Sequence, residues 1–309
     1  MVLKRTRRIA RQYGWIVALK ILIGNNVLFF SRKLDELRYS KMIHELSGLI
    51  ILGNINLKIV GIDGSIPIYL PTFDAGLSKD ILTYGIRKPI HTKALYKLIN
   101  GHSITRILDI GSNVGYFPLI ELYSGAKKLI CIEPIPITFK YLKLNLKEKC
   151  RNCTLINALV DTNSGIRKIY VPFDKEMRPL LNLASINKFL LNQSSRVSTV
   201  KGYTTKAIAF NKIINDYKVD MIRMDIEGYE WFLFESADNI PREIYAIDIE
   251  IHKGTKKVIM KALQNLLSNG FNKVFIVTNP KVFTLITLSL IHISEPTRPL
   301  YISYAVFCL

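Results

Sequence analysis

Two short blocks of this chain place glycines and acids where a nucleotide-like ligand would bind. Residues 107–116 read I-L-D-I-G-S-N-V-G-Y, and residues 130–134 read I-C-I-E-P. The glycines of the first block let the backbone approach a ligand without a Cβ in the way. The acid of the second block, about twenty residues further on, is placed to accept hydrogen bonds from ribose hydroxyls. Together the blocks predict a pocket at the carboxyl end of a parallel sheet.

The spacing of these glycines argues against a dinucleotide. A dinucleotide fingerprint needs G-x-G-x-x-G, but Asn113 stands at the second glycine position and the spacing is G-x-x-x-G. Asp109 precedes the turn, where it would repel a pyrophosphate and attract a cation. S-adenosylmethionine carries an amino group and a sulfonium but no phosphate, so the pattern favours it. The alternatives are a site for a dinucleotide and a plain βαβ unit with a glycine turn.

With a third block, the chain resembles the FkbM family of S-adenosylmethionine-dependent methyltransferases. The blocks D-I-G-S-N-V-G-Y-F, I-E-P-I-P and M-D-I-E-G-Y-E (residues 224–230) stand in the family's order and spacing. Weaker blocks at residues 157–165 and 249–252 agree, and the resemblance covers about residues 82–278. It implies methyl transfer to a hydroxyl of a sugar, glycan or small metabolite, without fixing the acceptor. Members often carry an acid near Lys88, and the lysine puts a polar network there in doubt.

The cofactor residues that we predict lie in the loops after the first three strands. Asp109 is expected to meet the amino group, Asn113 the methionine carboxylate, and Glu133 the ribose. The complete predicted set is Asp109, Gly111, Asn113, Gly115, Glu133 and Ala158. No metal is expected, because Cys150 and Cys153 form a lone C-x-x-C and a zinc site needs four ligands.

The candidate catalytic residues are Asp225, Glu227 and His252. The two acids are two residues apart on an extended chain, so they face the same side. Paired carboxylates tend to split their pKa values, and one of them can act as a base. A histidine at the end of a later strand can also take a proton near neutral pH. The alternatives are that one acid caps the helix near Tyr229 and that the histidine is structural.

Alternating apolar runs and helical segments predict an α/β fold, with a mostly parallel Rossmann-like sheet flanked by helices and a helical N-terminal extension. We predict strands at residues 107–110, 129–133, 154–160, 221–225, 245–251 and 273–277, with a seventh at 282–290. One or two further strands are expected within residues 51–70. A polar insertion, residues 172–201, is predicted to form a substrate-facing lid. The predicted domains are an extension at 1–80, a methyltransferase domain at 81–291 and a non-native tail at 292–309.

The composition narrows the possible binding partners and the cellular location of the protein. The net charge of +19 favours polyanions, although a lysine-rich proteome produces the same balance. Basic residues at the start of the chain, followed by a short apolar stretch, suggest peripheral contact with an anionic membrane, or a solvated helix end. No run reaches the ~18 apolar residues of a membrane span, and few cysteines suggest the cytoplasm.

Two further functions compete with small-molecule O-methylation. A nucleic-acid methyltransferase fits the charge, but the N/D-P-P-Y/F motif of base methylation is replaced by D-I-E-G, so nucleic acid is an unlikely partner. A non-catalytic protein of the same fold that binds at a membrane surface is the other. The tail, S-E-P-T-R-P-L-Y-I-S-Y-A-V-F-C-L, resembles a translated sequencing adapter, and this is why we expect it to be non-native.

Overall fold

The computed structural model describes residues 55–58, 65–71, 74, 77–78, 81, 87–191, 196–237, 239–251, 256–271, 273–278 and 286–291. The strands in chain order are β1 (Ile55–Lys58), β2 (Ser65–Ile68), β3 (Arg106–Ile110), β4 (Lys128–Ile132), β5 (Cys153–Ile156), β6 (Leu159–Asp161), β7 (Gly165–Phe173), β8 (Thr199–Ala209), β9 (Met221–Met224), β10 (Ala246–Ile251), β11 (Lys273–Thr278) and β12 (Ile286–Ile291). The helices are α1 (Pro89–Gly101), α2 (Tyr116–Tyr123), α3 (Pro136–Leu146), α4 (Lys188–Leu191), α5 (Phe210–Asp216), α6 (Glu230–Glu235) and α7 (Lys256–Ser268).

The central sheet has the strand order β11-β12-β10-β9-β3-β4-β5. The strands β10, β9, β3, β4 and β5 are parallel to their neighbours, while β12 runs antiparallel to both β10 and β11. The predicted seventh strand is therefore β12, inserted as the one reversed strand of this sheet. The fold is α/β and Rossmann-like with helices flanking a mostly parallel sheet, so the predicted fold class is confirmed.

Each face of the sheet buries its own apolar core. Side chains alternate along a strand, so Ile107 of β3 packs under α1, α2 and α3, whereas Leu108 packs on the other face with α5, α6 and α7. Because both faces are covered, the strands read as continuous apolar runs in the sequence. A polar residue within such a run is therefore buried, and this matters for the site below.

The segment before the sheet contains an antiparallel pair, β1 and β2. The strands expected within residues 51–70 are thus two. Ile66, Ile68 and Leu70 belong to the same buried cluster as α1 and β3, so this hairpin packs on the main sheet. The domain boundary at residue 80 stays a prediction. The predicted N-terminal helical segment and the tail at 292–309 lie outside the described residues.

A second, three-stranded sheet has the order β6-β8-β7. It corrects the predicted third strand at residues 154–160, which is two strands in two sheets: β5 ends at Ile156 and β6 begins at Leu159. The chain changes sheet at Asn157, whose side-chain Nδ2 donates to the carbonyl of Glu133 at 2.8 Å. In the same sheet, β7 pairs antiparallel with β8 along its whole length.

The cysteines divide into two groups. Cys131 is fully buried in β4. Cys150 and Cys153 are joined in a disulfide between α3 and the start of β5, which a lone C-x-x-C does not by itself indicate. Cys308 lies outside the described residues.

Candidate functional site

A cleft lies at the carboxyl ends of β3, β4 and β9. Gly111, Asn113 and Glu133 line it together with the segment from Asp225 to Glu227. Three predicted cofactor residues and two predicted catalytic residues therefore meet at one cavity. Ala158, which was predicted beside the adenine, also lines it.

The glycine turn after β3 has no backbone N–H left for a phosphate. Across residues 111–115, the first two N–H groups donate to the carbonyl of Ile132, at 2.9 and 3.1 Å. The third donates to Glu133 and the fourth to the side chain of Asn113, at 2.9 and 2.8 Å. The fifth donates to the carbonyl of Ser112 at 2.9 Å. A pyrophosphate needs such donors, so the geometry agrees with the argument against a dinucleotide.

Gly111 is required for a reason that the sequence did not indicate. Its φ is +85°, and a Cβ added there would lie 2.1 Å from the backbone oxygen of Asp225. The glycine therefore brings the turn after β3 into contact with the end of β9. This close approach places the turn after β3 and the turn after β9 side by side in the cavity wall.

Glu133 is held as a buried acceptor at the cavity wall. Its carboxylate accepts from the N–H groups of Asn113 and Ile135, both at 2.9 Å, and from the hydroxyl of Thr138 at 2.7 Å. Burial raises the pKa of Glu133 to about 7, against the opposing effect of these three donors. The carboxyl thus titrates near neutral pH, and a ligand that donates to it would favour its ionised form.

The acids in the turn after β9 occupy different positions. The carboxylate of Glu230 accepts the backbone N–H groups of Ile226 and Gly228, at 2.9 and 3.0 Å, and is fully buried. Glu227 adopts a left-handed φ of 55° and lines the cavity. The N-cap residue of α6 is Tyr229, without a side-chain cap hydrogen bond, so neither Asp225 nor Glu227 occupies the N-cap position as the alternative proposed. Glu230 fills the turn, and Glu227 lines the cavity.

The predicted lid contributes directly to the cavity wall. Leu181, Asn182 and Ser185 line the cavity. The hydroxyl of Ser185 donates to the carbonyl of Glu227 at 3.1 Å, and its backbone pairs with Tyr170 of β7. Asn182 Oδ1 is buried and has no hydrogen-bond partner among the described residues, so it can accept a donor from a ligand. Neither polar residue was predicted, since nothing in the Ser- and Asn-rich segment distinguishes these two.

Tyr229 is a further cavity residue that the sequence analysis missed, although it stands inside the quoted M-D-I-E-G-Y-E block. Its hydroxyl donates to Asp161 at 2.8 Å, and Asp161 is also paired with Arg167 of β7. Burial, followed by the contact with Asp161, raises the pKa of Tyr229 to about 12. The phenol is thus held as a neutral donor that ties the turn after β9 to the second sheet.

Beneath the cavity, three neighbouring strands carry a row of buried charges. Arg223 of β9 stands in register with Asp109 of β3 on one side and Asp248 of β10 on the other. The guanidinium contacts Asp109 at 3.2 Å and lies 3.7 Å from the centre of the Phe117 ring. Burial opposes its charge, but the surrounding acids, Asp109 first, raise the pKa of Arg223 above its ordinary value.

The cavity is thus lined by some of the predicted site residues but not by all of them. Asp109 is fully buried, and its carboxylate accepts from Ser112 at 2.9 Å as well as from Arg223. Neither Asp109 nor Gly115 lines the cavity, so their contact with a cofactor stays a prediction. His252 lies outside the described residues. Arg223 is fully buried and pairs with Asp109 and Asp225.

Lys88 forms the polar network that its departure from the family pattern had put in doubt. Its ammonium group contacts Asp225 at 3.4 Å and also pairs with Glu250 of β10. The segment before α1 therefore reaches the end of the cavity at which Asp225 lies.

Within the described part of the chain, no group of three or more histidine, cysteine or acidic side chains could hold a metal ion. Likewise, none of the helices described there is both long and apolar enough to cross a bilayer.

The model of the methyltransferase FkbM domain matches residues 109–272, more than half of the 309-residue chain. No curated protein sequence matches significantly. Among solved structures, an FkbM methyltransferase from Methylobacillus flagellatus is similar at 15% identity and a TM-score of 0.42, over 60% of this chain and 43% of that one. Trm5b from Pyrococcus abyssi follows at 14% and 0.40, over 73% and 52%. An O-methyltransferase from Bacillus cereus, in complex with SAH, follows at 10% and 0.39, over 67% and 82%. The chain spans about half the length or less of the first two.

Proposed function

Because the chain belongs to the FkbM family of methyltransferases, we propose that it transfers a methyl group from S-adenosylmethionine to a hydroxyl of a sugar, glycan or small metabolite. One observation carries the proposal. A single cavity is lined both by a buried acceptor, Glu133, and by a second acid, Glu227. This is the arrangement that a cofactor ribose and an acceptor hydroxyl would each require.

The cavity fits S-adenosylmethionine by the chemistry of its donors and acceptors. Glu133 would accept the ribose hydroxyls, the turn at Gly111 and Asn113 would hold the methionine portion, and Ala158 would border the adenine. The N–H groups across residues 111–115 are already engaged, which suits a ligand without phosphates. When bound, S-adenosylmethionine supplies a methyl group on a sulfonium.

The acceptor end needs mainly positioning and removal of a proton. A methyl sulfonium is already activated, so holding the hydroxyl in line with it contributes most to the rate. A hydroxyl of high pKa also benefits from a base. Glu227 is our candidate, because it lines the cavity while Glu230 occupies the turn. Asp225 would position the acceptor. His252 stays a candidate from the sequence alone.

The raised pKa of Glu133 predicts that cofactor binding depends on pH. Ribose hydroxyls donate to the ionised carboxylate, so affinity is nearly complete at about pH 8 and is lost as the pH falls through the pKa of about 7. The ionised fraction rises about tenfold between pH 6 and pH 8, and we expect the affinity for S-adenosylhomocysteine to rise by the same factor. Calorimetry at several pH values measures it. Glu133→Gln should bind more weakly with no such rise; an equal rise in that variant would contradict the assignment.

The acceptor class is tested by transfer of a labelled methyl group. The protein is incubated with [methyl-³H]S-adenosylmethionine and separated glycan, polar metabolite, lipid and RNA fractions of the source cells. We expect label in the glycan or metabolite fraction, stable to the conditions that hydrolyse methyl esters. Label in RNA alone would replace the proposal by the nucleic-acid alternative. Cofactor binding without label in any fraction would favour the non-catalytic alternative.

A further inference from the structure

We infer that Lys88 is a positioning residue of this site. Its ammonium group, held between Asp225 and Glu250, fixes the direction of the Asp225 carboxylate and offsets its charge at the cavity wall. This inference rests on the proposed function, and it places a working part of the site before residue 109, where the family match begins.

The position of Lys88 follows from the topology of the sheet. Met224 of β9 and Ile249 of β10 are register partners in neighbouring parallel strands. The next residues, Asp225 just after β9 and Glu250 near the end of β10, therefore lie side by side at the carboxyl edge of the sheet. Lys88 reaches both acids from the segment before α1, with its side chain only 17% exposed. A cation is thus inserted between two acids that would otherwise repel each other.

The backbone of Lys88 is held in an unfavourable conformation. Its φ of 45° and ψ of 60° are left-handed, a region that lysine seldom adopts, and a residue before a proline is normally extended. The carbonyl of Lys88 accepts the N–H of Thr92 at 2.9 Å in the first turn of α1. Such a conformation persists only where its surroundings enforce it, and it is concentrated at functional sites.

Lys88 acts on the cavity through Asp225, because Asp225 lines the cavity and Lys88 does not. The same oxygen, Oδ2, contacts Lys88 on one side and Arg223 on the other, each at 3.4 Å. Arg223 is committed to the buried row of charges beneath. Replacing Lys88 therefore changes the net charge that a ligand meets at Asp225. It disturbs the buried row of charges less than replacing Arg223 would.

Two ligands that differ by one charge test this role without an acceptor. S-adenosylmethionine carries a sulfonium where S-adenosylhomocysteine has a neutral thioether. Calorimetry of both gives the ratio of their affinities in each variant. In Lys88→Met the cavity loses an offsetting cation, so we expect the ratio to move about fivefold toward S-adenosylmethionine. Lys88→Arg keeps the charge and should stay within about twofold of wild type.

Two further variants separate this role from mere stabilisation. Lys93 is exposed on α1, so Lys93→Met should leave the ratio unchanged. The double variant Lys88→Met, Glu250→Gln also removes the carboxylate that pairs with Lys88, and it is measured in place of the single variant if that variant fails to fold. If Lys88 acts through Asp225, the double variant keeps a shift of at least about twofold in the same direction.

Each outcome decides the matter. A wild-type ratio in the folded Lys88→Met or in the double variant would show that Lys88 serves only as the partner of Glu250, and would overturn the inference. A shift of equal size in Lys93→Met would also overturn it, since any lost cation would then suffice. If the wild-type protein binds neither ligand, the proposed function itself fails, and the inference falls with it.

Discussion

We expect the Arg223→Met variant to lose about 3–5 kcal/mol of its free energy of unfolding. Arg223 is 2% exposed and lies between Asp109 and Asp248, both of which are also buried. Methionine fills much of the space but removes the cation that pairs with Asp109, while Asp248 keeps its contact with His91 at 2.8 Å. Removing one partner of a buried ionic group costs far more than the group contributes as a whole, because the remaining charge stays desolvated.

Urea unfolding at neutral pH measures this loss as a lower midpoint at unchanged slope. Arg151→Met removes an exposed arginine and should stay within about 0.5 kcal/mol of wild type. Asp109→Asn combined with Arg223→Met should be more stable than Arg223→Met alone, since one uncompensated acid is then gone. A loss below about 1 kcal/mol in the single variant would mean that the charge row does not stabilise the fold.

Glu121 explains why so many acids can surround one arginine. It is completely buried on α2, and neither carboxyl oxygen has a hydrogen-bond partner among the described residues. Burial, followed by repulsion from Asp109, raises the pKa of Glu121 well above its ordinary value. The raised pKa favours the neutral form of this carboxyl, which adds no charge for Arg223 to balance.

The charge row shows what the sequence could and could not predict. Each member interrupts an apolar strand, in I-L-D-I, M-I-R-M and A-I-D-I, so burial of all three was predictable from the strand pattern. Their alignment was not, because Asp109 and Arg223 are 114 residues apart and the register between distant strands is not encoded in local spacing. The strands β3, β4, β9, β10 and β11 lie within one residue of their predicted bounds, because apolar runs are local signals. The run at residues 154–160 does not reveal that the chain changes sheet within it.

The acids after β9 show the same limit at the site. D-I-E-G-Y-E offers Asp225, Glu227 and Glu230, and spacing alone does not say which of them fills the turn. The left-handed backbone at Glu227 and Gly228 decides it, because it directs two N–H groups at Glu230. Lys88 and Ser185 come from distant segments of the chain, where no local motif marks them.

Replacing Glu227 with glutamine is expected to lower the rate of methyl transfer about 10²–10⁴-fold. Glutamine keeps the size of the side chain and its capacity to accept a hydrogen bond, but it cannot take a proton from the acceptor. The left-handed φ of 55° at this position is unchanged, so the turn should keep its shape. Affinity for S-adenosylhomocysteine should stay within about twofold, because a base acts on the acceptor and not on the cofactor.

The measurement uses the cell fraction that the wild-type protein labels with [methyl-³H]S-adenosylmethionine. Glu235→Gln is the matched control: Glu235 ends α6 and pairs with Lys261 at the surface, so its turnover should be unchanged. Glu230→Gln should instead lower stability, since it weakens the contacts that close the turn. If Glu227→Gln keeps more than a tenth of the wild-type rate, Glu227 is not the base, and Asp225 or His252 must be tested next. Loss of cofactor binding in the same variant would indicate that Glu227 shapes the cavity. Removing a proton acceptor cannot by itself lower the affinity for a cofactor that does not contact it.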